Sequence, residues 1–401
     1  MNRITVLLVA LTVGGMTTLP AQAQSLADAL EQAWSRHPLA SASAARTTEA
    51  QARTEVASGL TPGPASVSLS SLNDRLNANR GRQEWEVEMA VPLWLPGQRA
   101  ARQAEASAAQ NELDARQRAL RLQVAGEVRD AWWAIAAARN ASDLADRRVA
   151  TARDLALDVT RRFKVGELAR VDANLAQNEN LIAQTELAEA QTALLQAEQA
   201  YRGLTGVAAP VVLLAETHVA TQSLDQEHPQ LVASAAAVQL AEARLKAVDE
   251  TRRDAPTLAV RMVRDRADSI EPFGNTVGIK LTVPFSSGAR VRQENSAARA
   301  ELAQADAELA IAQTRLQLGT EKARRELDTA QRQLALAGQR HELTADNLRL
   351  AEKSFSLGES DLSNLLRVRA AAFEAQAFLS RQQVTLAASQ SRINQIMGVL
   401  P

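Results

Sequence analysis

The chain says the same thing twice, at long range. His37-Pro38 near the start returns as His228-Pro229. Each dipeptide heads a stretch of helical composition and then two short alternating segments, which close on Val91-Pro92 in one half and on Val283-Pro284 in the other. A glycine-basic turn follows each time, Pro96-Gly97-Gln98-Arg99 and then Ser287-Gly288-Ala289-Arg290. Arg162-Phe163-Lys164-Val165-Gly166-Glu167 is answered by Ser354-Phe355-Ser356-Leu357-Gly358-Glu359, and Leu204-Thr205-Gly206 by Ile396-Met397-Gly398. The offset stays near about 192 residues, far beyond the ~20–50 of a solenoid repeat. A tandem duplication of one large unit folds as two copies of one plan.

The first residues read as a secretory leader. Arg3 supplies the charge, Ile4 to Val13 the apolar stretch and Ala21-Gln22-Ala23 a small-residue cleavage site, which predicts a signal peptide over 1–23. The apolar stretch is shorter than the ~20 residues of a membrane-spanning helix, and no other long apolar run exists. The chain has no cysteine, so neither a disulfide framework nor lipid attachment through a thiol is available. Its net charge of -1 argues against nucleic acid as a partner. Alanine, glutamine, leucine, glutamate and arginine dominate while aromatics make up 3%, the composition of long helices.

Ser25 to about Ser58 is expected to be one helix, broken by Gly59, Pro62, Gly63 and Pro64. Strands are expected at about 64–72 and 84–92. In the second of these, Glu84, Glu86 and Glu88 alternate with Trp85, Val87, Met89 and Val91. A helix of roughly 100 Å then runs from Gln98 to about Arg162 and a second returns to about Arg202. Leu168, Leu175 and Ile182 fall at seven-residue spacing and read as a coiled-coil seam. An irregular connector, 207–227, separates a first repeat over 24–206 from a second over 228–401. The second repeat has strands expected at about 256–265 and 275–284, with Leu258, Val260 and Met262 read on one face and Arg261 and Arg264 on the other. Its helices carry further heptads at Leu302, Leu309 and Leu316 and at Leu336, Leu343, Leu350 and Leu357. Tip turns are expected at about 163–168 and 355–360.

Each alternating segment has about the ~9–11 residues that cross a bilayer at a tilt. Four strands cannot close a barrel, and an open edge in lipid leaves backbone groups unsatisfied at several kcal/mol each. Strands that span a membrane therefore require sister chains. Two chains give eight strands and a side-chain-filled interior, whereas three give twelve and a lumen. Glu84, Glu86, Glu88, Arg261, Arg264 and Lys280 would then line water, with Trp85 and Trp94 at the two membrane interfaces.

The opening Leu26-Ala27-Asp28-Ala29-Leu30 to His37-Pro38-Leu39, the repeated Phe-x-x-Gly turns and the Leu-x-Gly helix ends resemble the TolC family of outer-membrane efflux ducts. The resemblance covers essentially the whole mature chain. It implies a mainly α protein with a membrane β-barrel: a homotrimer in which four strands per chain build a twelve-stranded barrel in outer-membrane lipid, and long helical hairpins build an α-barrel through the periplasm. Its implied partners are a periplasmic membrane-fusion adaptor and an inner-membrane pump of the resistance-nodulation-division type, with no cofactor. Leu95-Pro96-Gly97-Gln98-Arg99 is similar to the heavy-metal branch, which points to metal cations as cargo.

By the same resemblance the glycine turns form the periplasmic tip. Adaptor contacts fall on Val165, Gly166, Glu167, Leu357, Gly358 and Glu359. The family's gate acid corresponds to Asp172, but Ser360 and Phe355 stand where its basic and tyrosine partners belong. Arg367, Lys353 and Arg170 are the candidate cations instead. Where the family carries a ring of aspartates, this chain has Asn364 and Arg367, and three copies of Arg367 about one axis would repel cations.

An enzyme finds no support in the sequence. His37, His218, His228 and His341 lack metal-ligand spacing, and no nucleophile motif or phosphate loop is present. A periplasmic coiled-coil adaptor or scaffold is the alternative reading. It shares the leader and the long hairpins but has no need of two membrane-length hairpins at equivalent positions.

Overall fold

A computed structural model describes residues 25–217, 227–285 and 288–401. The leader expected over 1–23, His218 and part of the connector lie outside the described residues. The elements run α1 (Leu26–Arg36), α2 (Pro38–Ser58), β1 (Ser66–Asn73), β2 (Gln83–Pro92), α3 (Gln98–Lys164), α4 (Arg170–Thr205), α5 (Pro229–Glu250), β3 (Thr257–Arg266), β4 (Gly274–Thr282), α6 (Gly288–Ser356) and α7 (Leu362–Ile396).

The helix expected over Ser25 to Ser58 is two helices. Ser25 Oγ accepts the Asp28 N–H at 3.1 Å and Asp28 Oδ2 accepts the Ser25 N–H at 2.9 Å, a reciprocal cap that starts α1. Pro38 disfavours helical geometry in the residue before it. His37 accordingly takes φ -68° and ψ 129°, ends α1, and caps α2 through Nδ1, which accepts the Leu39 N–H at 3.3 Å. His228 does the same for α5 through the Gln230 N–H at 3.2 Å.

The repeated glycine endings meet the repeated His-Pro segments. Gly206 and Gly398 both sit in the left-handed region, at φ +80° and +77°. A Cβ on Gly398 would come within 2.9 Å of His228 Cδ2 and Pro229 Cδ. One on Gly206 would come within 2.7 Å of Arg36 Nη1. Glycine is needed there both for the backbone and for the close approach.

The 67 residues of α3 and 69 of α6 each extend roughly 100 Å at ~1.5 Å per residue. α4 and α7 return along only the sheet-distal half of these rods, while α5 fills the space between the other halves of α3 and α6, and α2 lies on α3. The intrachain seams differ from the expected ones. In α6 the buried positions include Leu316, Ala323, Ala330, Ala337 and Ala351, whereas Leu336, Leu343 and Leu350 are 64%, 68% and 52% exposed. In α4, Ala176 and Ala183 are buried while Leu175 and Ile182 are exposed. The alanine heptad and the leucine heptad lie one residue, roughly 100°, apart on the same helix. Small side chains let two helices of one chain approach closely, and the leucines are left facing outward.

One cluster closes the first repeat on itself, and a buried arginine joins it to the second. Leu26, Ala29, Leu30 and Ala33 of α1 pack with Val124, Val128, Trp132 and Ile135 of α3 and Tyr201 of α4. The end of the connector is pinned to α3 through Arg129, which is 3% exposed and holds Glu216 with Nη2–Oε1 at 2.7 Å. Arg129 also donates to the Val399 carbonyl at 3.0 Å and to Gln395, and Ser391 donates to Glu216. The Trp132 indole N–H reaches the Leu214 carbonyl at 3.3 Å.

Candidate functional site

The four strands form one antiparallel sheet in the order β1-β2-β3-β4. The hairpins of the two repeats are thus joined directly through β2 and β3, where Glu88 faces Arg261, Val87 faces Met262 and Met89 faces Val260. β1 and β4 are open edges in a single chain.

The register sorts the side chains into two faces. Ser66, Ser68 and Ser70 share a face with Glu84, Glu86, Glu88, Arg261, Thr276 and Lys280. Opposite charges meet there: Lys280 Nζ lies 3.2 Å from Glu88 Oε2, Arg261 Nη1 3.9 Å from Glu86 Oε1, and Arg82 Nη2 3.7 Å from Glu84 Oε2. All are partly hydrated, so each pair contributes ~0–1 kcal/mol and the face stays wettable. The other face carries Val67, Leu69, Val87, Met89, Val260, Met262, Val277 and Ile279, every one between 46% and 78% exposed. A contiguous apolar patch of this kind marks a lipid or protein contact.

One strand residue departs from the sequence reading. Arg264 pairs with Trp85 and lies on the apolar face, two residues along from Met262. Side chains alternate with a period of two, so Arg264 shares a side with Leu258 and Val260, and Arg261 alone of the two arginines joins the glutamates. Trp85 is 49% exposed on the same apolar face. The Trp94 indole N–H donates to the Gly59 carbonyl at 3.1 Å, which fixes the other end of the strand against the end of α2. At ~3.3 Å per residue and a tilt of ~40°, the path from Trp85 to Trp94 rises roughly 23 Å, close to the ~25 Å apolar band of an outer-membrane barrel.

At the opposite end of the rods both hairpins close in the same way. Gly166 and Gly358 take φ +85° and +76° with nothing near their missing Cβ. The Glu167 N–H reaches the Arg162 carbonyl and the Glu359 N–H the Ser354 carbonyl, each at 3.0 Å, a paired Schellman ending. Val165, Glu167, Leu357 and Glu359 are exposed. The duplicated phenylalanines have diverged. Phe355 is 7% exposed in a cluster with Leu155, Val159, Ala176, Leu362 and Leu365, while Phe163 is 38% exposed. The Arg162 guanidinium lies over the Phe355 ring at 5.5 Å. Four helices thus meet at the tip of one chain.

The proposed gate residues surround this cluster. Asp172 accepts the Ala169 N–H at 3.1 Å and forms no ion pair within the chain with Arg367, Lys353 or Arg170. Arg367 is exposed and donates to Asn364 Oδ1 at 2.7 Å, and the Asn364 N–H is capped by Asp361 at 2.7 Å. Ser360 Oγ is buried without a partner. The chain therefore gathers Phe355, Ser360, Asn364 and Arg367 at one tip and uses Asp172 as a helix cap. Sequence reasoning missed Arg129, since one arginine in a charged helix carries no signal of burial.

Among the described residues, no group of three or more His, Asp, Glu or Cys side chains is placed to hold a metal ion, and no helix is long and apolar enough to cross a membrane.

The chain pairs a four-stranded sheet of two hairpins with duplicated helical rods. Solved outer-membrane channels share this fold. The VceC protein of Vibrio cholerae superposes with a TM-score of 0.77 at 15% identity, covering 93% of this chain and 96% of that one. The CmeC channel of Campylobacter jejuni gives 0.76 at 14%, over 93% and 85%. The open state of the MtrE channel of Neisseria gonorrhoeae gives 0.71 at 13%, over 94% and 89%. No curated protein sequence matches the chain. Residues 220–399 match the family described as outer membrane efflux protein. The matched stretch covers the second repeat, and the first repeat is built on the same plan.

Proposed function

We propose that the protein is the exit duct of a tripartite efflux system, seated in the outer membrane and reaching into the periplasm. The observation that carries this is the sheet: one polar, ion-paired face, one apolar face fully open to the surroundings, and two unpaired edges. A homotrimer closes those edges into a twelve-stranded barrel whose lumen is lined by Glu84, Glu86, Glu88, Arg261 and Lys280. The two repeats, 24–206 and 228–401, each supply one hairpin to the barrel and one to the helical tunnel. Transport is passive: an inner-membrane pump supplies the energy and a periplasmic adaptor engages the tips at Val165, Gly166, Glu167, Leu357, Gly358 and Glu359. The exposure of those six positions supports the assignment.

Gate control is assigned to the tip residues Asp172, Phe355, Ser360, Asn364 and Arg367. Heavy-metal cations are the narrower proposal for cargo and rest on the likeness of Leu95 to Arg99 to that branch. A wide duct has no need of a tight binding site for what it passes.

The reading is tested by fractionation and reconstitution. The protein is expected in detergent-extracted outer membrane as a heat-sensitive trimer that gives discrete conductance steps in planar bilayers. Recovery as a soluble periplasmic monomer without conductance would establish the scaffold alternative instead.

A further inference from the structure

The apolar face of the sheet ends, on the loop side, in a cluster that conduction does not use. Arg264 stands in register with Trp85, and Arg266 one row beyond, opposite Gln83. Both lie on the side of Val260 and Met262. Both guanidinium groups lie over the ring of Phe273, 5.0 and 4.8 Å from its centroid. Among the described residues neither forms a close ion pair, although Arg266 Nε donates to the Gly81 carbonyl at 3.2 Å and the Arg266 charge helps hold the Asp268 carboxyl below its usual range, after the hydrogen bonds from the Ile270 and Glu271 N–H groups. The nearby loop acids are engaged with backbone: Asp268 accepts the Ile270 and Glu271 N–H groups at 2.8 and 2.9 Å, and Glu271 accepts the Ala267 N–H at 3.1 Å. Asp265 leaves by the opposite face of the sheet.

An arginine on a lipid-facing row is costly at mid-membrane and nearly free of cost at the interface. Two arginines in the rows just past Met262 and level with Trp85 therefore mark the outer interface, where lipid phosphates sit. Two guanidinium groups held over one aromatic ring offer planar donor forks suited to a phosphate, and the apolar rows below offer a bed for acyl chains. We propose that Arg264, Arg266, Phe273 and Trp85 form a docking site for a phosphate-bearing lipid of the outer leaflet, one per subunit. The site rests on the outer-membrane reading given above.

The test uses the purified full-length trimer. Retention of diphosphoryl lipid A, of its dephosphorylated form and of inorganic phosphate is measured by native mass spectrometry, for the wild type, R264S/R266S and R264K/R266K. Two basic residues at a membrane surface correspond to roughly thirtyfold in affinity. The wild type is expected to prefer the phosphorylated lipid by about that factor. R264S/R266S should lose the preference, R264K/R266K should keep part of it, and bilayer conductance should not change in either. Equal retention of both lipids, a preference that survives R264S/R266S, or saturation by inorganic phosphate in place of lipid would each overturn the site. In those cases normal conductance would leave the duct standing. A soluble, non-conducting monomer would remove both readings, because the sheet would never meet lipid.

Discussion

Arg129 shows what a single side chain does for the joint between the repeats. It sits on α3, buried, and holds Glu216 of the connector, Gln395 of α7 and the Val399 carbonyl together. Removing one partner of a buried pair strands the other, at a cost of about 3–5 kcal/mol, whereas removing both is often nearly neutral. R129M should therefore lower the thermal midpoint of the trimer in detergent by several degrees, and R129M/E216L should restore most of it. A midpoint unmoved by R129M would show that the pair is not buried in solution. His228 gives a pH-dependent counterpart. Burial is the main cause that pushes its imidazole below the ordinary 6.5. The unfolded chain then binds more protons in this range, so stability is complete above about pH 6.5 and declines as pH falls toward the lowered folded value. H228N keeps a helix-capping side chain and removes the titration. Its unfolding midpoint should vary less between pH 7 and pH 5 than that of the wild type, and parallel curves would refute the assignment. The repeat made His37 and His228 conspicuous in the sequence, as did Gly206 and Gly398. Their contacts were not legible, because a cap and its close-packed glycine are far apart in the chain.

At the level of elements, the long rods were legible because nothing in Gln98–Lys164 or Gly288–Ser356 breaks a helix. The break at His37-Pro38 was underestimated, although proline as the first residue of a new helix is well suited to its missing N–H. The heptads were legible as periodicities but not as contacts. A spacing of seven states that a stripe exists, and only tertiary structure states which stripe meets which. Alanines at Ala323, Ala330 and Ala337 take the contact within the chain, and leucines at Leu336, Leu343 and Leu350 remain exposed. If the duct is built from several chains as proposed, those leucines are available to face a neighbouring subunit. L343E/L350E should thus convert the trimer toward monomer without loss of helical content. Light scattering in detergent read beside far-ultraviolet circular dichroism separates the two effects. A trimer that persists would place the leucine stripe elsewhere. The strand faces were read correctly for the glutamates and for Arg261, and wrongly for Arg264, where a count of residues along the pleat decides the side.

For the whole molecule, the two ends of the rods are given opposite chemistry. One end presents an apolar sheet face over a wettable one. The other gathers exposed arginine and small polar residues about a buried phenylalanine. Along a three-fold axis the field at the narrow end is multiplied by the number of subunits, so a residue negligible in one chain acts as a ring. Arg367 is exposed, oriented by Asn364 through a 2.7 Å hydrogen bond, and forms no ion pair with a carboxylate among the described residues. Three such groups about one axis would attract anions into a constriction and hold cations back. That is awkward for a duct with metal cations as cargo unless adaptor engagement widens the tip and moves the ring off the axis. The argument is decided by ion selectivity rather than by transport. In planar bilayers under a salt gradient the isolated trimer should pass anions in preference to cations, R367D should reverse that preference, and D172K should strengthen it if Asp172 shares the constriction. The effect should weaken as salt rises from 0.1 to 1 M, because the screening length falls from ~10 to ~3 Å. A reversal potential indifferent to R367D would place Arg367 on an outer, solvated helix face and return the gate to the packing of Phe355 and Leu365 beneath it.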